Sequence, residues 1–325
     1  MGKLCVDSDH FNPDNSSMIA IAEELAMVSA KVDIEDFVIL RVLGRGSYGK
    51  VMLIQHKEEG NLFALKTLRK KKVIKTSQVE HTKAERQYLF YVNNLRILEK
   101  IEHPFIVTLR YAFQTKQKLY MVFEYAPGGE LFQHLKNLEY FSEERARFYA
   151  AEILLALEFL HSKKIVYRDL KPENVMLDSE GHIKLTDFGL AKELAGDHGV
   201  TNTFCGTDEY LAPEIILNKG YNSSVDIWSL GILIYEMLTG WTPWQDDNRK
   251  KLFEKILKEA LDLSNPNLSA NAKDLLKRML EKNVSKRLSS IPEIKKHPFF
   301  SGIDFTKIFM RAIKPPFKPI IVSMV

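Results

Sequence analysis

The spacing of hydrophobic residues divides the chain into a strand-rich part and a helix-rich part. Short runs of apolar and β-branched residues, separated by turns, predict strands at 37–40, 51–54, 62–65 and 119–123. A helical stretch over 79–100 interrupts them. Beyond Gly128-Gly129, apolar residues recur at helical spacing and predict helices at 142–161, 225–238, 249–257 and 270–282. The pattern therefore predicts an α+β protein with a small β-rich lobe, a larger helical lobe and a hinge near 124–127.

Residues 1–35 form an extension ahead of these lobes. Apolar positions from Met18 to Val28 follow helical spacing, and Asn15, Ser16 and Ser17 supply helix-start chemistry just before them. The predicted amphipathic helix lacks basic residues on its polar face. We therefore favour docking on the protein surface over a membrane or partner-helix role.

Composition and charge limit the classes of function. The chain has 325 residues, 45% hydrophobic and 27% charged, which is typical of a globular protein, and its net charge of +4 argues against a dedicated nucleic-acid or membrane binder. Cys5 and Cys205 are too far apart to suggest a disulfide framework or a zinc site, and no apolar run approaches the ~20 residues of a membrane helix. We expect a soluble protein of the cytoplasm, with the nucleus as a second candidate compartment.

Residues 44–49 fit the pattern Gly-x-Gly-x-x-Gly, in which glycines let backbone N–H groups approach phosphates. Another strand-like run follows, whereas a dinucleotide-binding Rossmann fold would need a helix there. We therefore interpret the loop as a strand–turn–strand cover over phosphates. Lys66 lies on the next strand, where its ammonium could reach the phosphates of a nucleotide under that cover. A surface lysine at the sheet edge is the alternative.

A third group of polar residues lies between positions 167 and 189. Asp169 can accept the proton of a hydroxyl, and Lys171 can neutralise a moving phosphoryl group. Asn174 and Asp187, which begins an Asp-Phe-Gly triplet, can hold Mg²⁺. Each carboxylate alone could be a cap or turn residue, but the ordered set favours phosphoryl transfer.

Together these motifs resemble those of the eukaryotic protein kinases over about residues 36–300, with lobes at 36–125 and 128–300. The resemblance implies a bilobal fold and ATP-dependent phosphorylation of Ser or Thr hydroxyls on protein substrates, with ATP and Mg²⁺ as cofactors. It pairs Lys66 with Glu85. It also places Glu214 in a buried ion pair with Arg287. The residues that it implies around ATP are Leu43, Gly44, Arg45, Gly46, Ser47, Tyr48, Gly49, Lys50, Val51, Ala64, Lys66, Glu124, Ala126, Glu130 and Met176.

Within the kinases the chain resembles the AGC group. Tyr167 stands where most kinases have His, and the runs 203–207 and 315–319 are similar to the group's activation segment and to the start of its C-terminal tail. The runs that most resemble the ribosomal-protein kinase branch are 81–86, 103–107, 111–115 and 247–251.

The group likeness also implies regulation. Thr203 is expected to receive a phosphate from an upstream activating kinase, with Thr201 as the alternative site. Residues 301–325 are expected to be a truncated tail without the group's Phe-x-x-Phe segment, so a hydrophobic-motif partner acting in trans is a candidate. The cationic cluster expected to hold the phosphate consists of Arg168, Lys192 and His81.

The expected substrates are proteins with basic residues before the target, because Glu130, Glu173 and Glu236 map near the peptide groove. We expect no nucleic-acid partner and no stable membrane insertion. The principal rival is a catalytically impaired scaffold with a kinase fold, which the short tail and an insertion between Glu85 and His103 favour and the intact catalytic residues oppose. A Rossmann oxidoreductase is a distant third.

Overall fold

The described residues divide into two units, one β-rich and one helical. The computed structural model describes residues 32–45, 49–69, 95, 97–115, 117–194 and 199–321. The small unit contains the described parts of 9–102 and 107–125, and the large unit contains 103–106 and the described residues from 126 onward. The predicted amphipathic helix before residue 32, and most of the helix predicted over 79–100, lie outside the described residues.

The small unit is a five-stranded antiparallel sheet with the order β1-β2-β3-β5-β4. The four predicted strands are confirmed, each longer than its apolar run. The additional strand, β4 (Leu109–Gln114), was not predicted, although its large apolar residues alternate with smaller or polar ones as in a strand. The strands are β1 (Phe37–Arg45), β2 (Gly49–His56), β3 (Leu62–Arg69), β4 (Leu109–Gln114) and β5 (Lys118–Glu124).

An aromatic core fixes one face of this sheet. Phe37 meets Phe63 edge to face at 6.3 Å and stacks on Phe113 at the same centroid distance. Ile54 and Val122 are fully buried beside them. The core holds β1, β2 and β3 in the register that places Gly44 opposite Val51 and Val51 opposite Lys66.

Close backbone packing explains one glycine of the phosphate-binding pattern. A Cβ atom at Gly49 would lie 1.9 Å from the carbonyl oxygen of Thr67 on β3. No side chain fits there without moving the strand. Gly49 is therefore required by sheet packing, independently of any ligand.

The large unit is built from eight helices and five short strands among the described residues. Ser142 caps α2, as its position before the predicted helix indicates, by accepting the N–H of Arg145. No described helix is long and apolar enough to cross a membrane. The helices are α1 (Leu131–Leu138), α2 (Glu143–Ser162), α3 (Pro213–Ile216), α4 (Ser224–Thr239), α5 (Arg249–Lys258), α6 (Ala270–Met279), α7 (Ile291–Lys295) and α8 (Phe305–Phe309), and the strands are β6 (Gly129–Glu130), β7 (Ile165–Val166), β8 (Val175–Leu177), β9 (Ile183–Leu185) and β10 (Lys192–Glu193).

The predicted long helices correspond to α2, α4, α5 and α6. The last ends at Met279 rather than at position 282. Helix α1 is additional to the prediction, because its N-cap residue Glu130 makes no capping hydrogen bond and so gives no local start signal. Helix α4 is buried along almost its whole length and packs on α2.

Residues 103–106 belong to the large unit although they lie within the range expected for the small lobe. The backbone N–H of Leu185 on β9 donates to the carbonyl of Phe105 at 2.9 Å. Burial and the charge of Lys184 lower the pKa of His103 to about 4. The neutral His103 ring can then accept the N–H of Phe105 through Nδ1 at 3.2 Å. The segment is thus tied to β9 and is not part of the five-stranded sheet.

A buried ion pair joins α3 to the segment after α6. The guanidinium of Arg287 donates to both carboxylate oxygens of Glu214, at 2.6 and 2.9 Å, and its Nε donates to the carbonyl of Glu281 at 2.9 Å. The guanidinium carbon of Arg287 lies 4.9 Å from the centre of the Trp228 ring. The side chains are 0% and 5% exposed, so neither charge can regain water if its partner is lost.

We expect Arg287→Ala to lower the free energy of unfolding by about 3–5 kcal/mol, because it leaves the Glu214 carboxylate buried without its partner. Urea denaturation followed by circular dichroism measures this. Lys307→Ala is the matched control: its pair with Asp304 spans 3.8 Å at the surface, and its removal should change stability by less than about 0.5 kcal/mol. Equal effects of the two substitutions would contradict the structural role of the buried pair.

Candidate active site

The loop after β7 is fixed by one buried carboxylate. Asp226 on α4 is fully buried and accepts the backbone N–H groups of Tyr167 at 2.9 Å and Arg168 at 2.8 Å. His161 lies 2.8 Å from the same carboxylate through Nε2. Arg168 has a φ of +67°, a left-handed conformation that a non-glycine residue adopts only when its surroundings hold it. Asp169 follows directly, so its backbone position is set by these bonds.

Three of the predicted catalytic and metal-binding residues meet at Asp169. The amide nitrogen of Asn174 donates to the carbonyl of Asp169 at 2.8 Å and to its Oδ2 at 2.9 Å. The ammonium of Lys171 lies 3.3 Å from the same oxygen. The carboxylate is therefore held from two sides by groups that stabilise its negative charge.

Thr207 completes this cluster. Its hydroxyl donates to Oδ1 of Asp169 at 3.1 Å and accepts from the ammonium of Lys171 at 2.8 Å. Sequence analysis does not assign it a catalytic role, because a threonine 38 positions after Asp169 carries no local signal of this contact. The only clue is its place directly after Gly206, in the run 203–207.

The backbone joins Asn174 to Asp187. Thr186 donates both its N–H and its hydroxyl to the carbonyl of Asn174, at 2.9 and 3.1 Å, and Asp187 follows. Asp187 has a φ of +47°, and its exposed carboxylate accepts the N–H of Gly189 at 3.2 Å. These contacts bring the two predicted metal ligands into one region.

The donor set of Asn174 and Asp187 fits Mg²⁺. An amide oxygen and a carboxylate are hard oxygen ligands, which this ion prefers. No group of three or more His, Cys, Asp or Glu side chains in the described part of the chain could hold a metal. Two protein ligands suit an ion whose remaining positions are taken by water and substrate phosphates.

A groove of about 730 Å³ lies beside this cluster on the large unit. Thr207 belongs to its wall, which also contains Trp241, an indole that is 68% exposed. Among the described residues that line the groove there is no Lys or Arg. Its acidic lining residues are Glu173, Glu209, Glu236, Asp246 and Asp247.

Two carboxylates of this region, Glu236 and Glu130, have raised pKa values. Burial raises the pKa of Glu236 to about 7, a hydrogen bond from the Tyr210 hydroxyl opposes the change, and the charges of Glu173 and Glu209 raise it further. Burial, followed by the charge of Glu173, also raises the pKa of Glu130. Asp246 is paired with Lys255 at 3.2 Å, and the acidic character of the remaining lining favours a positively charged ligand.

Comparison with known proteins decides the family. Residues 37–300 match the model of the protein kinase domain. The chain belongs to the protein kinase family. Named relatives include the serine/threonine protein kinase ypkA of Aspergillus fumigatus, 49% identical over 88% of this chain and 44% of that protein. A RAC family serine/threonine-protein kinase homologue of Dictyostelium discoideum is 47% identical over 90% of this chain and 64% of its own length.

The serine/threonine-protein kinase Sgk1 of Gallus gallus is 48% identical over 87% of this chain and 64% of its own length. These names support the coarse assignment of the kinase to the AGC group, of the RAC and Sgk type. The chain spans between 44% and 64% of the length of these three curated relatives.

The small unit carries the strands of the kinase's predicted phosphate cover. Gly44 on β1 lies opposite Val51 on β2, and Val51 lies opposite Lys66 on β3. Leu43 lies on β1, Lys50 lies on β2, and Ala64 lies on β3. The site residues outside the described set are Gly46, Ser47, Tyr48, Glu85, His81 and the side chain of Arg45. The pairing of Lys66 with Glu85 therefore stays a prediction.

The predicted nucleotide residues after β4 lie on both units. Glu124 ends β5, where its N–H donates to the carbonyl of Thr108 at 3.0 Å. Ala126 is the first residue after β5 that belongs to the large unit, and it is buried. Glu130 on β6 pairs in register with Met176 on β8. Each unit thus carries part of the predicted set.

The predicted phosphorylation site lies in a buried part of the kinase. Thr203 is 3% exposed, its hydroxyl lies 3.2 Å from that of Thr201, and its carbonyl accepts from the Tyr221 hydroxyl at 2.6 Å. Lys192 donates to the Thr201 hydroxyl at 3.2 Å. Arg168 donates to the Tyr221 hydroxyl at 3.2 Å. Two members of the predicted cationic cluster thus reach this segment, Lys192 through Thr201 and Arg168 through Tyr221.

Proposed function

We propose that this chain transfers the γ-phosphoryl group of ATP to serine or threonine hydroxyls of protein substrates. The observation that carries the proposal is the cluster of Asp169, Lys171 and Thr207 beside an acidic groove. The names of the relatives support the same acceptor class. A transfer assay with radiolabelled ATP and a basic peptide tests it.

In the proposed reaction Asp169 orients the acceptor hydroxyl and takes its proton. The acceptor oxygen forms a bond to the γ-phosphorus while the bond from that phosphorus to the β–γ bridging oxygen breaks, and ADP leaves with that oxygen. The Lys171 ammonium offsets the negative charge on the transferring group. The amide of Asn174 holds the Asp169 carboxylate in place throughout.

The nucleotide contacts are part of the proposal. Lys66 on β3 would contact the α- and β-phosphates, with Glu85 as its partner, and the glycine-rich turn would cover them. Asn174 and Asp187 would hold Mg²⁺, which supplies positive charge at the phosphate oxygens when bound. The motif runs noted above favour the ribosomal-protein kinase branch within the AGC group.

Substrates of the proposed kinase carry basic residues before the target. Five carboxylates line the groove, and one of them, Asp246, is paired with Lys255, a lysine outside the lining, at 3.2 Å. A guanidinium entering it would form charge-assisted hydrogen bonds with Glu173 and Glu236. The buried segment around Thr203 would be regulated by phosphorylation, with Lys192 and Arg168 as the cations in reach.

Asp169→Asn should abolish peptide phosphorylation while changing ATP affinity by no more than about threefold, because Asp169 handles the acceptor and does not hold the nucleotide.

Asp187→Asn should weaken Mg-ATP binding as well as turnover, since it removes a metal ligand. Transfer assays and nucleotide titrations separate the two. Near-normal turnover by the Asp169 variant would refute its assigned role.

The affinity for a basic peptide should rise with pH. The Glu236 carboxyl has a raised pKa of about 7, so it is mostly neutral near pH 6 and mostly charged near pH 8. The KM for an arginine-containing peptide should fall about five- to tenfold across that interval. Glu236→Gln should flatten the dependence, with the KM for ATP as the internal control. A variant that keeps the full slope would show that another group titrates.

A further inference from the structure

An ion pair at the edge of the groove plays no part in the chemistry proposed above. The Nε atom of Arg249 donates to Oδ2 of Asp208 at 2.6 Å, and its Nη2 atom donates to Oδ1 at 2.7 Å. Both carboxylate oxygens are engaged by one planar group, which fixes orientation as well as distance. Arg249 is the first residue of α5, and Asn248 caps that helix by accepting the N–H groups of Lys250 and Lys251. The cap fixes the backbone from which Arg249 projects.

The same guanidinium lies against two aromatic rings. Its carbon is 5.4 Å from the centre of the Phe204 ring and 5.0 Å from that of Phe253, and the two rings are 6.2 Å apart. Phe253 lies on α5, whereas Phe204 and Asp208 lie on the segment before α3. A lysine ammonium could not make the two-pronged bond and the flat contact with the rings at once. The arrangement is therefore specific for arginine.

Asp208, one of the two residues that Arg249 contacts on this segment, lies between two residues that matter for the proposed reaction. Asp208 directly follows Thr207, whose hydroxyl contacts Asp169 and Lys171. Asp208 directly precedes Glu209, which lines the groove. The backbone of residues 207–209 thus connects the Arg249 contact at Asp208 to Thr207, which contacts Asp169, and to the groove wall.

We propose that Arg249 is a positioning residue that fixes segment 204–210 on α5 and thereby sets the affinity for the acceptor peptide. The proposal rests on the proposed function. With Arg249 in place, Thr207 stays against Asp169 and Glu209 stays in the groove wall. Without it, the segment loses the ion pair at Asp208 and the guanidinium contact at Phe204, and of these contacts with α5 only the one between the Phe204 and Phe253 rings is left.

The exposure of the pair points to a local role. The side chains of Arg249 and Asp208 are 42% and 30% exposed, so the pair adds little to global stability. Its loss should leave the large unit folded and loosen only the segment. This separates it from the buried pair of Glu214 and Arg287.

A test compares two substitutions that break the ion pair between Arg249 and Asp208, called the clamp from here on, with opposite effects on charge. Arg249→Ala adds an unneutralised carboxylate at the groove, whereas Asp208→Asn removes one. If position decides, both should weaken binding of a fluorescent basic peptide about fivefold and raise its KM to match, while the KM for ATP and the melting temperature stay near the parent values. The double variant should be no weaker than Arg249→Ala, because Asp208→Asn removes no contact that the loss of Arg249 has not already removed.

Arg249→Lys should recover only part of the affinity, since it keeps the charge but not the fork or the ring contacts. Arg278→Ala, which removes an exposed pair with Asp274 at 3.7 Å, is the matched control and should bind peptide normally. Opposite shifts for Arg249→Ala and Asp208→Asn would overturn the proposal in favour of a purely electrostatic effect. Unchanged peptide affinity in both would also overturn it.

Chymotrypsin cleavage after Phe204 provides a readout that does not depend on activity. Phe204 is half-buried, and release from Arg249 and Phe253 should speed cleavage there about fivefold in Arg249→Ala, as followed by mass spectrometry. If the parent protein fails to phosphorylate any peptide, the proposed function fails, but the cleavage rates still judge the clamp. Equal cleavage rates in the parent and in Arg249→Ala would overturn the clamp itself.

Discussion

The catalytic loop depends on the buried carboxylate of Asp226. A fully buried carboxylate is tolerated only where donors surround it, and here two consecutive backbone N–H groups and a histidine ring do so. The same bonds hold Arg168 in a left-handed conformation that its side chain disfavours. The loop N–H groups therefore stabilise the buried charge of Asp226, and Asp226 in turn fixes the geometry of the loop. The position of the Asp169 backbone follows from these bonds between the loop and Asp226.

The effect of this anchor extends beyond the loop through the side chain of Arg168. Its Nε atom donates to the carbonyl of Leu190 at 2.6 Å, and its Nη1 atom donates to the hydroxyl of Tyr221. That hydroxyl in turn donates to the carbonyl of Thr203. Because Asp226 fixes the backbone of Arg168, the Arg168 side chain holds the segments around Leu190 and Thr203 in a fixed position relative to the loop. A shift of either segment would be felt at Asp169 through a single residue.

Sequence reasoning succeeded where the signal is local and failed where contacts are distant. Ser142 at the N-cap indicates the start of α2, whereas the N-cap residue of α1, Glu130, makes no capping hydrogen bond, and α1 was not predicted. Four strands of the small sheet were predicted and β4 was not, although the sequence of β4 alternates as in a strand. The order of Asp169, Lys171 and Asn174 was readable because it lies in one short run. Thr207 and the contact between Arg249 and Asp208, which spans 41 positions, come from tertiary structure alone.

The three tryptophans give the molecule two separate intrinsic optical reporters. Trp228 and Trp244 are buried and stack nearly parallel, with ring centres 5.7 Å apart. Trp241 stands in water on the wall of the acidic groove. Emission from the buried pair is shielded from solvent and follows the integrity of the large unit, whereas emission from Trp241 is open to a collisional quencher and to any ligand in the groove. Ligand occupancy and unfolding can therefore be followed in one sample without an attached dye.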